Sequence, residues 1–255
     1  MTNVTWATPS VGQITREYYD RVFETERNQS YPTIDAVERE CGFAVNKTDL
    51  LDAARVLACP VKINPPNWQH GRLIYSTARM YLSRSDLGHV PAFTFLDIGT
   101  AKGFSALCMR WALNDAKREG HVVSCDVINP SERVPRNTVA EVDKLRTLDE
   151  ILLPWIFEAK HIKFLHSTGG KWLKEGVSRV HFAFVDGKHN YESVSSDARE
   201  LTRRQFPGDV TIFDDVHIEG IGRAVYELRD AYELNEVVAI AGKRAYVVAI
   251  RKGRR

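Results

Sequence analysis

From residue 92 onward the chain alternates short apolar runs with stretches of helical spacing. Strands that alternate with helices are typical of parallel sheets, because a parallel connection must cross back over the sheet. Such crossovers have a fixed hand and place helices on both faces. The pattern predicts an α/β fold with a doubly wound, mainly parallel sheet. The five strand-like runs are FTFLDIG, HVVSCDV, HIKFLHS, VHFAFVDG and DVTIFDD.

The two ends of the chain depart from this alternation. The final segment, EVVAIAGKRAYVVAI, holds two strand-like runs around Gly242-Lys243-Arg244, which predicts an antiparallel hairpin. With the hairpin, the predicted sheet has seven strands and ends in a reversed one. Before residue 90 the apolar residues recur at three- and four-residue spacing, which predicts helices. These stretches are 11–24, 34–41, 50–58 and 73–82.

Length and composition suit one domain with an extension. The 255 residues are enough for one α/β core, and 44% of them are hydrophobic and 27% charged, as in globular proteins. We therefore predict a helical extension or cap over residues 1–90 and a Rossmann-like domain over residues 91–255. The extension is expected to cover the active site and to help form a homodimer or a higher homo-oligomer.

Charge and targeting signals narrow the classes of partner. A net charge of +2 gives no general attraction to nucleic acid or to an acidic membrane. The N-terminus lacks a basic segment followed by an apolar run, and no stretch has the length of a membrane helix. We expect a cytoplasmic protein that acts on a small molecule. The four cysteines lack metal-type spacing and are expected to be buried free thiols.

The first predicted strand ends in a glycine turn, FLDIGTAKG, at residues 95–103. A nucleotide-like ligand lies at such a turn, since glycine lets the backbone approach it closely. Ala101 stands where a dinucleotide fold has its middle glycine, which argues against NAD. The second strand ends at Asp126, 23 residues after Gly103, where a carboxylate accepts hydrogen bonds from both ribose hydroxyls. Asp126 is therefore the ribose candidate, with a turn-capping acid as the alternative.

The pattern D-x-G-x-x-x-G at residues 97–103, followed by Asp126, resembles the cofactor motif of class I S-adenosylmethionine-dependent methyltransferases. The resemblance implies that the turn surrounds the methionine and ribose parts of the cofactor and that Asp126 holds the ribose. It also implies that Ser167 and Thr168 lie near the adenine, although hydroxyl residues after a strand are common in turns. The turn residues assigned to the cofactor are Asp97, Gly99, Thr100 and Gly103.

The fourth and fifth strands end in acids and histidines, in FVDGKHNYE at residues 184–192 and IFDDVH at residues 212–217. The carboxyl ends of parallel strands meet at one edge, so these groups should converge beside the cofactor. Clustered carboxylates repel one another, and Mg²⁺ or another divalent cation compensates them while binding a substrate oxygen. A metal-bound hydroxyl loses its proton readily and attacks the sulfonium methyl group, with a histidine as base. The predicted metal ligands are Asp186, Asp214 and Asp215, the base candidates are His217 and His189, and Asp186 is also expected to contact the cofactor.

Three further motifs resemble a narrower group. They are D-G-x-H-x-Y-E at residues 186–192, P-G at 207–208 and D-D-x-H at 214–217. They resemble the metal-dependent O-methyltransferases, which include macrolide and aminocoumarin sugar methyltransferases and, more distantly, catechol methyltransferases. In the sugar enzymes the His of D-D-x-H is the base, which implies His217; in the catechol type a Lys occupies the place of His189. The implied activity is O-methylation of a small-molecule hydroxyl of sugar or phenol type.

The sequence alone does not exclude structural roles for these acids and histidines or rival functions for the chain. The Asp214-Asp215 pair caps a helix in one interpretation, and His189 locks its turn by bonding to backbone. The rival functions are an RNA or nucleoside methyltransferase, a metal-dependent hydroxylase-like relative and an inactive cofactor-binding relative. An RNA ribose methyltransferase would carry a lysine where Asp214-Asp215 stands.

Three segments near the predicted site have less defined roles. The polar segment 129–146 is either a lid or a solvated surface insertion. Lys102 is expected to be an exposed lysine. Asn64-Pro65-Pro66-Asn67 differs from the motif of DNA adenine methyltransferases, which has an aromatic residue directly after the prolines; it is predicted to be a loop that borders the pocket.

Overall fold

The computed structural model of the protein describes residues 15–60 and 68–253, and the structural statements below concern these residues. The start of the first predicted helix and the Asn64-Pro65-Pro66-Asn67 loop lie outside them.

A seven-stranded sheet forms the centre of the molecule, in the order β3-β2-β1-β4-β5-β7-β6. Strands β1 to β5 are mutually parallel, whereas β7 runs antiparallel to both β5 and β6. This confirms the α/β class, the mainly parallel seven-stranded sheet and the C-terminal hairpin. The strands are β1 (Phe93–Ile98), β2 (Gly120–Asp126), β3 (Ile162–His166), β4 (Phe182–Val185), β5 (Val210–Phe213), β6 (Tyr232–Ile240) and β7 (Arg244–Arg251).

Helices cover both faces of the sheet, which is why β4 and β5 are buried along their whole length and are apolar except for Thr211. Short 3₁₀ turns at Ser85–Leu87, Val139–Glu141, Leu153–Trp155 and Glu227–Asp230 complete the connections. The α-helices are α1 (Arg16–Arg27), α2 (Pro32–Cys41), α3 (Lys47–Leu57), α4 (Gln69–Leu82), α5 (Phe104–Asp115), α6 (Leu148–Ile151), α7 (Ile156–Ala159), α8 (Gly169–Lys174), α9 (Tyr191–Arg204) and α10 (Glu219–Tyr226).

The four helices expected before residue 90 are α1 to α4. Three of them, α2, α3 and α4, begin before the first apolar residue of the predicted stretch, because hydrophobic spacing alone does not set a helix start. The Asn46 side chain accepts hydrogen bonds from the backbone N–H groups of Thr48 and Asp49, so α3 begins at Lys47. Pro32 occupies the first turn of α2, where its missing N–H costs nothing.

Two hydrophobic cores lie on opposite faces of the sheet. On one face Phe23, Leu50 and Leu73 from the N-terminal helices pack in the same cluster as Leu107 of α5 and Phe95 of β1. The cluster on the other face joins α8, α9 and α10 to the sheet. The N-terminal helices therefore form part of one layer of the fold. The predicted boundary at residue 90 and the predicted covering role of residues 1–90 stay predictions.

All four cysteines are free, and those at positions 59, 108 and 125 are buried, whereas Cys41 is half-buried. Among the described residues no helix combines the length and the apolar character that a membrane span requires.

Candidate active site

The glycine turn after β1 is shaped by backbone contact with the end of β4. Gly99 has a φ of +101°, and a Cβ atom there would lie 2.0 Å from the carbonyl oxygen of Asp186. Gly103, at the start of α5, has a φ of +83°, and Ala101 between them also adopts a positive φ. The glycines are thus required by the turn itself, because side chains are disfavoured in this conformation.

Hydroxyl groups and one buried acid support the turn from beneath. Ser105 Oγ donates to Asp97 Oδ1 at 2.7 Å, and Ser124 Oγ donates to Asp97 Oδ2 at 2.6 Å. Thr100 Oγ1 lies 2.6 Å from Ser124 Oγ. Asp97 is fully buried, and burial raises its pKa to about 7, against the lowering effect of the two serines. Of the predicted cofactor residues, Asp97 therefore braces the turn and lies below its surface.

Two cavities meet at the turn, and Gly99 and Asp186 border both. The larger has a volume of about 980 Å³ and opens on the side of α8 and α9. The smaller, of about 150 Å³, lies toward α3 and α4. The larger is bordered by Gly99, Ala101, Asp126, Ser167, Asp186 and His189, among others. The smaller is bordered by His70, Gly99, Lys102, Phe184, Asp186, Asp214 and Arg244, among others.

Asp126 borders the larger cavity with its carboxylate already oriented. Its Oδ2 accepts from Ala101 N at 2.8 Å, and its Oδ1 accepts from Ile128 N at 2.9 Å. Its carbonyl oxygen accepts from the backbone N–H of Ser167, which lines the same cavity. Thr168 borders this cavity too, and its Oγ1 accepts from Lys171 N and caps α8. Asp126 thus has both roles considered from the sequence, capping a turn and facing the cavity.

The predicted acids gather where β4 and β5 end. The backbone N–H of Asp186 donates to Ile98 O at 2.8 Å, which ties the end of β4 to the end of β1. Asp214 is buried, and Asp215 follows it with a φ of +57°.

A guanidinium that the sequence did not predict joins the acids. Arg244 Nη1 donates to both oxygens of Asp214, at 3.1 and 3.2 Å, and to Asp215 Oδ1 at 2.8 Å. Burial lowers the pKa of Arg244, but the charges of the acids outweigh it and the pKa is raised. Burial and then the charge of Asp214 raise the pKa of Asp215, against Arg244 and two histidines. The acid pair thus has a permanent internal cation.

The two base candidates flank Asp215 at different distances. His189 Nδ1 lies 3.2 Å from Asp215 Oδ2, and His217 Nδ1 lies 3.8 Å from Asp215 Oδ1. Asp186, His189 and Asp215 each offer a ligand atom, and these atoms lie within 4.8 Å of one another. An oxygen-rich set with one imidazole fits a divalent cation. The structure thus groups two of the three predicted metal ligands with a histidine, and places the third, Asp214, on Arg244.

One expectation about the surroundings is wrong, and one of the two alternatives for a nearby segment does not fit. Lys102 is 8% exposed, not an exposed lysine; its Nζ lies 3.4 Å from Arg136 O. Of the two alternatives for segment 129–146, the solvated insertion does not fit, because Arg136, Thr138 and Glu141 are buried. Arg136 donates to the carbonyl oxygen of Ala101 at 3.3 Å. The segment therefore packs on the glycine turn.

Sequence reasoning missed Arg244 and His70 as site residues. His70 stacks on Phe184 of β4, with ring centroids 5.7 Å apart, and borders the smaller cavity. Its position in the first turn of α4 was the only available signal. Arg244 stands in a segment that the sequence indicated only as a hairpin turn, and no spacing connected it to the acids.

Residues 96–216 match the family model described as a methyltransferase domain, a segment a little under half of the chain. The match runs from the glycine turn through Asp126 to the acid pair, and it confirms the methyltransferase resemblance. No curated protein matches the chain.

Solved structures share the fold at low sequence identity. An O-methyltransferase from Bacillus cereus, in complex with SAH, is 14% identical with a TM-score of 0.53, covering 92% of this chain and 100% of that one. TomG from Streptomyces achromogenes, an O-methyltransferase of tomaymycin synthesis in complex with SAM, is 18% identical with a TM-score of 0.56, covering 83% and 92%. An rRNA methylase from Streptococcus thermophilus is 8% identical with a TM-score of 0.50, covering 71% and 95%. At these identities the likeness shows the fold.

Proposed function

We propose that the protein, whose residues 96–216 match a methyltransferase domain, catalyses the S-adenosylmethionine-dependent, metal-assisted O-methylation of a small-molecule hydroxyl. The position of Asp186 carries the proposal. Asp186 borders both the cavity of the ribose candidate and the cavity of the acid pair. A group at that junction is adjacent to cofactor and acceptor at the same time.

The larger cavity supports the cofactor assignment. Its volume of about 980 Å³ lies in the range of small-molecule sites. Asp126 presents an oriented carboxylate for two ribose hydroxyls, and Ser167 stands at the end of the neighbouring strand for the adenine. The B. cereus protein and TomG, which share this fold, are described with SAH and SAM bound. These points favour S-adenosylmethionine as the cofactor.

The donor set at the junction supports a divalent cation such as Mg²⁺. Asp186 and Asp215 supply carboxylate oxygens within reach of one another, which are the ligands that hard cations prefer. When bound, such a cation lowers the pKa of an acceptor hydroxyl. Both acids would hold it from the ends of neighbouring strands.

His217 is the proposed base. Its Nδ1 lies 3.8 Å from Asp215 Oδ1, and an imidazole is the side chain most often used to accept a proton in catalysis. In the proposed reaction the acceptor oxygen forms a bond to the methyl carbon, and the bond from that carbon to the sulfonium sulfur breaks. The hydroxyl proton passes to His217, and S-adenosylhomocysteine leaves as the neutral thioether.

A small acceptor suits the smaller cavity. Its volume of about 150 Å³ and its border of Leu57, Ala58 and His70 from the N-terminal helices limit the part of the acceptor that reaches the junction. The net charge of +2 offers little attraction for RNA. A homo-oligomer in which residues 1–90 set acceptor choice belongs to the same proposal.

The test is turnover with a panel of sugars, phenols, nucleosides and RNA, followed by release of S-adenosylhomocysteine. We expect methylation of a hydroxyl in a sugar or phenol, loss of activity in EDTA and recovery with Mg²⁺. Asp215→Asn should lower the rate strongly and leave the Kd for S-adenosylhomocysteine nearly unchanged. Turnover on RNA alone would favour the rival function, and full activity in excess EDTA would remove the metal from the proposal.

A further inference from the structure

The acid pair Asp214-Asp215, which follows β5, is already paired with a cationic side chain of the protein, Arg244. Asp214 is 3% exposed, and both of its oxygens accept from the same atom, Arg244 Nη1. The Arg244 side chain is 17% exposed. Buried charges persist in proteins when they are paired and hydrogen-bonded. Asp214 and Arg244 satisfy each other in this way.

The reversed strand explains how an arginine reaches this position. Strands β1 to β5 all end at the edge that carries the site, whereas β7 runs in the opposite direction. Its first residue, Arg244, therefore lies at the edge where β5 ends. The backbone N–H of Val216 donates to Ala245 O at 3.1 Å, which fixes the start of β7 beside the acids.

Arg244 contacts both acids, and Asp215 has a further partner. Asp215 Oδ1 accepts from Arg244 Nη1, while its other oxygen, Oδ2, lies 3.2 Å from His189 Nδ1. Asp215 is grouped with Asp186 and His189.

We propose that Arg244 is a positioning residue of the metal site, which holds Asp214 as its counter-ion and leaves the cation to Asp186, His189 and Asp215. The inference rests on the proposed function, from which it takes the cation. The proposed ligand set differs from the one that the sequence predicted, because His189 replaces Asp214 in it. It also separates the roles of the two histidines, with His189 as a ligand and His217 as the base.

The first test measures binding of Mn²⁺ to the full chain without acceptor, from the loss of the electron paramagnetic resonance signal of the free ion. Arg244→Gln removes a positive charge that competes with the ion for Asp215 and releases Asp214. We expect the Kd for Mn²⁺ to fall about tenfold. Lys243→Gln is the matched control, because it removes the same charge from an exposed neighbour and should leave the Kd nearly unchanged. Weaker or equal binding by a folded Arg244→Gln protein overturns the proposal.

The second test compares the two histidines by the same measurement. His189→Asn should weaken Mn²⁺ binding at least about tenfold, the scale of losing a group at a metal site. His217→Asn should leave the Kd within about threefold. Equal effects of the two substitutions, or a larger effect at His217, would contradict the assignment of His189.

Crystals of the wild-type protein soaked in MnCl₂ keep the proposal testable if a variant does not fold. The anomalous signal should lie on Asp186, His189 and Asp215, with Asp214 still on Arg244; a signal on Asp214, or no bound ion, overturns the proposal. Release of S-adenosylhomocysteine is measured separately. Turnover without Mn²⁺ binding would reject this inference and leave the methyltransferase proposal standing.

Discussion

Gly99 and Asp186 are in direct backbone contact, since a methyl group on Gly99 would lie 2.0 Å from the carbonyl oxygen of Asp186. The contact joins the ends of β1 and β4, which are neighbours in the sheet. It places the glycine turn, which borders the larger cavity, against Asp186, which borders both cavities. The close approach of these two strand ends therefore requires that residue 99 have no side chain.

Gly99→Ala is expected to destabilise the fold and to weaken binding of S-adenosylhomocysteine. The new methyl group must displace backbone, and the residue must keep a φ of +101°; together these cost about 2–4 kcal/mol. Urea unfolding and calorimetry measure the two effects. Gly176→Ala is the matched control, since Gly176 has a φ of +109° with no neighbour within 4 Å. Equal losses for the two variants would show that the contact with Asp186 is unimportant.

Asp126→Ala is expected to weaken binding of S-adenosylhomocysteine by about 1–3 kcal/mol, the scale of hydrogen bonds to a charged group. Part of the loss comes from the ribose hydroxyls and part from the freed N–H of Ala101, which Asp126 now holds at 2.8 Å. Isothermal titration calorimetry measures the change. Asp230→Ala removes an exposed acid that borders neither of the two cavities and should bind normally. An unchanged Kd in folded Asp126→Ala protein would exclude Asp126 from the cofactor site.

His217→Ala is expected to lower kcat by about 10²–10⁴-fold if His217 is the general base. The Kd for S-adenosylhomocysteine should stay nearly the same, because His217 does not border the larger cavity. Single-turnover kinetics on the accepted substrate measure the rate. His89→Ala, at an exposed histidine, serves as the control. A normal rate in His217→Ala protein would transfer the base role to His189 or to a metal-bound water.

The buried acid Asp97 predicts a pH dependence of stability. Burial raises its pKa to about 7 in the folded protein, against about 4 in an unfolded chain. The folded state thus holds the proton more tightly, so its contribution is fully present below pH 4 and is lost as the pH rises to 7. Asp197, with its pKa raised to about 6 by burial, adds an effect of the same sign.

Asp97→Asn should remove most of this dependence. Between pH 5 and pH 8 the free energy of unfolding of the wild-type protein is expected to fall by about 2–4 kcal/mol more than that of the variant. Urea unfolding at several pH values measures both. Parallel curves for the two proteins would mean that Asp97 titrates as an ordinary surface carboxyl group.

The sequence alone was enough for the architecture. Alternation of strands and helices is local information, since each run must match the period of its own secondary structure. The parallel direction of β1 to β5 then followed from the rule that a strand–helix–strand connection crosses back over the sheet, whereas the order of the strands came from the structure. For the same reason the glycine turn, Asp126 and the acids after β4 and β5 could be located, because parallel strands bring their carboxyl ends to one edge.

Only the tertiary structure decided how those groups pair. Arg244 is 29 residues from Asp215 along the chain, yet its Nη1 lies 2.8 Å from Oδ1 of that acid, because β7 is reversed and inserted between β5 and β6. Asp97 and Asp126 are both acids at the ends of strands, but one is buried beneath the turn and the other borders a cavity. Strand periodicity determines the edge at which a side chain emerges. Its partner, its burial and hence its charge depend on segments distant in sequence, which only packing brings together.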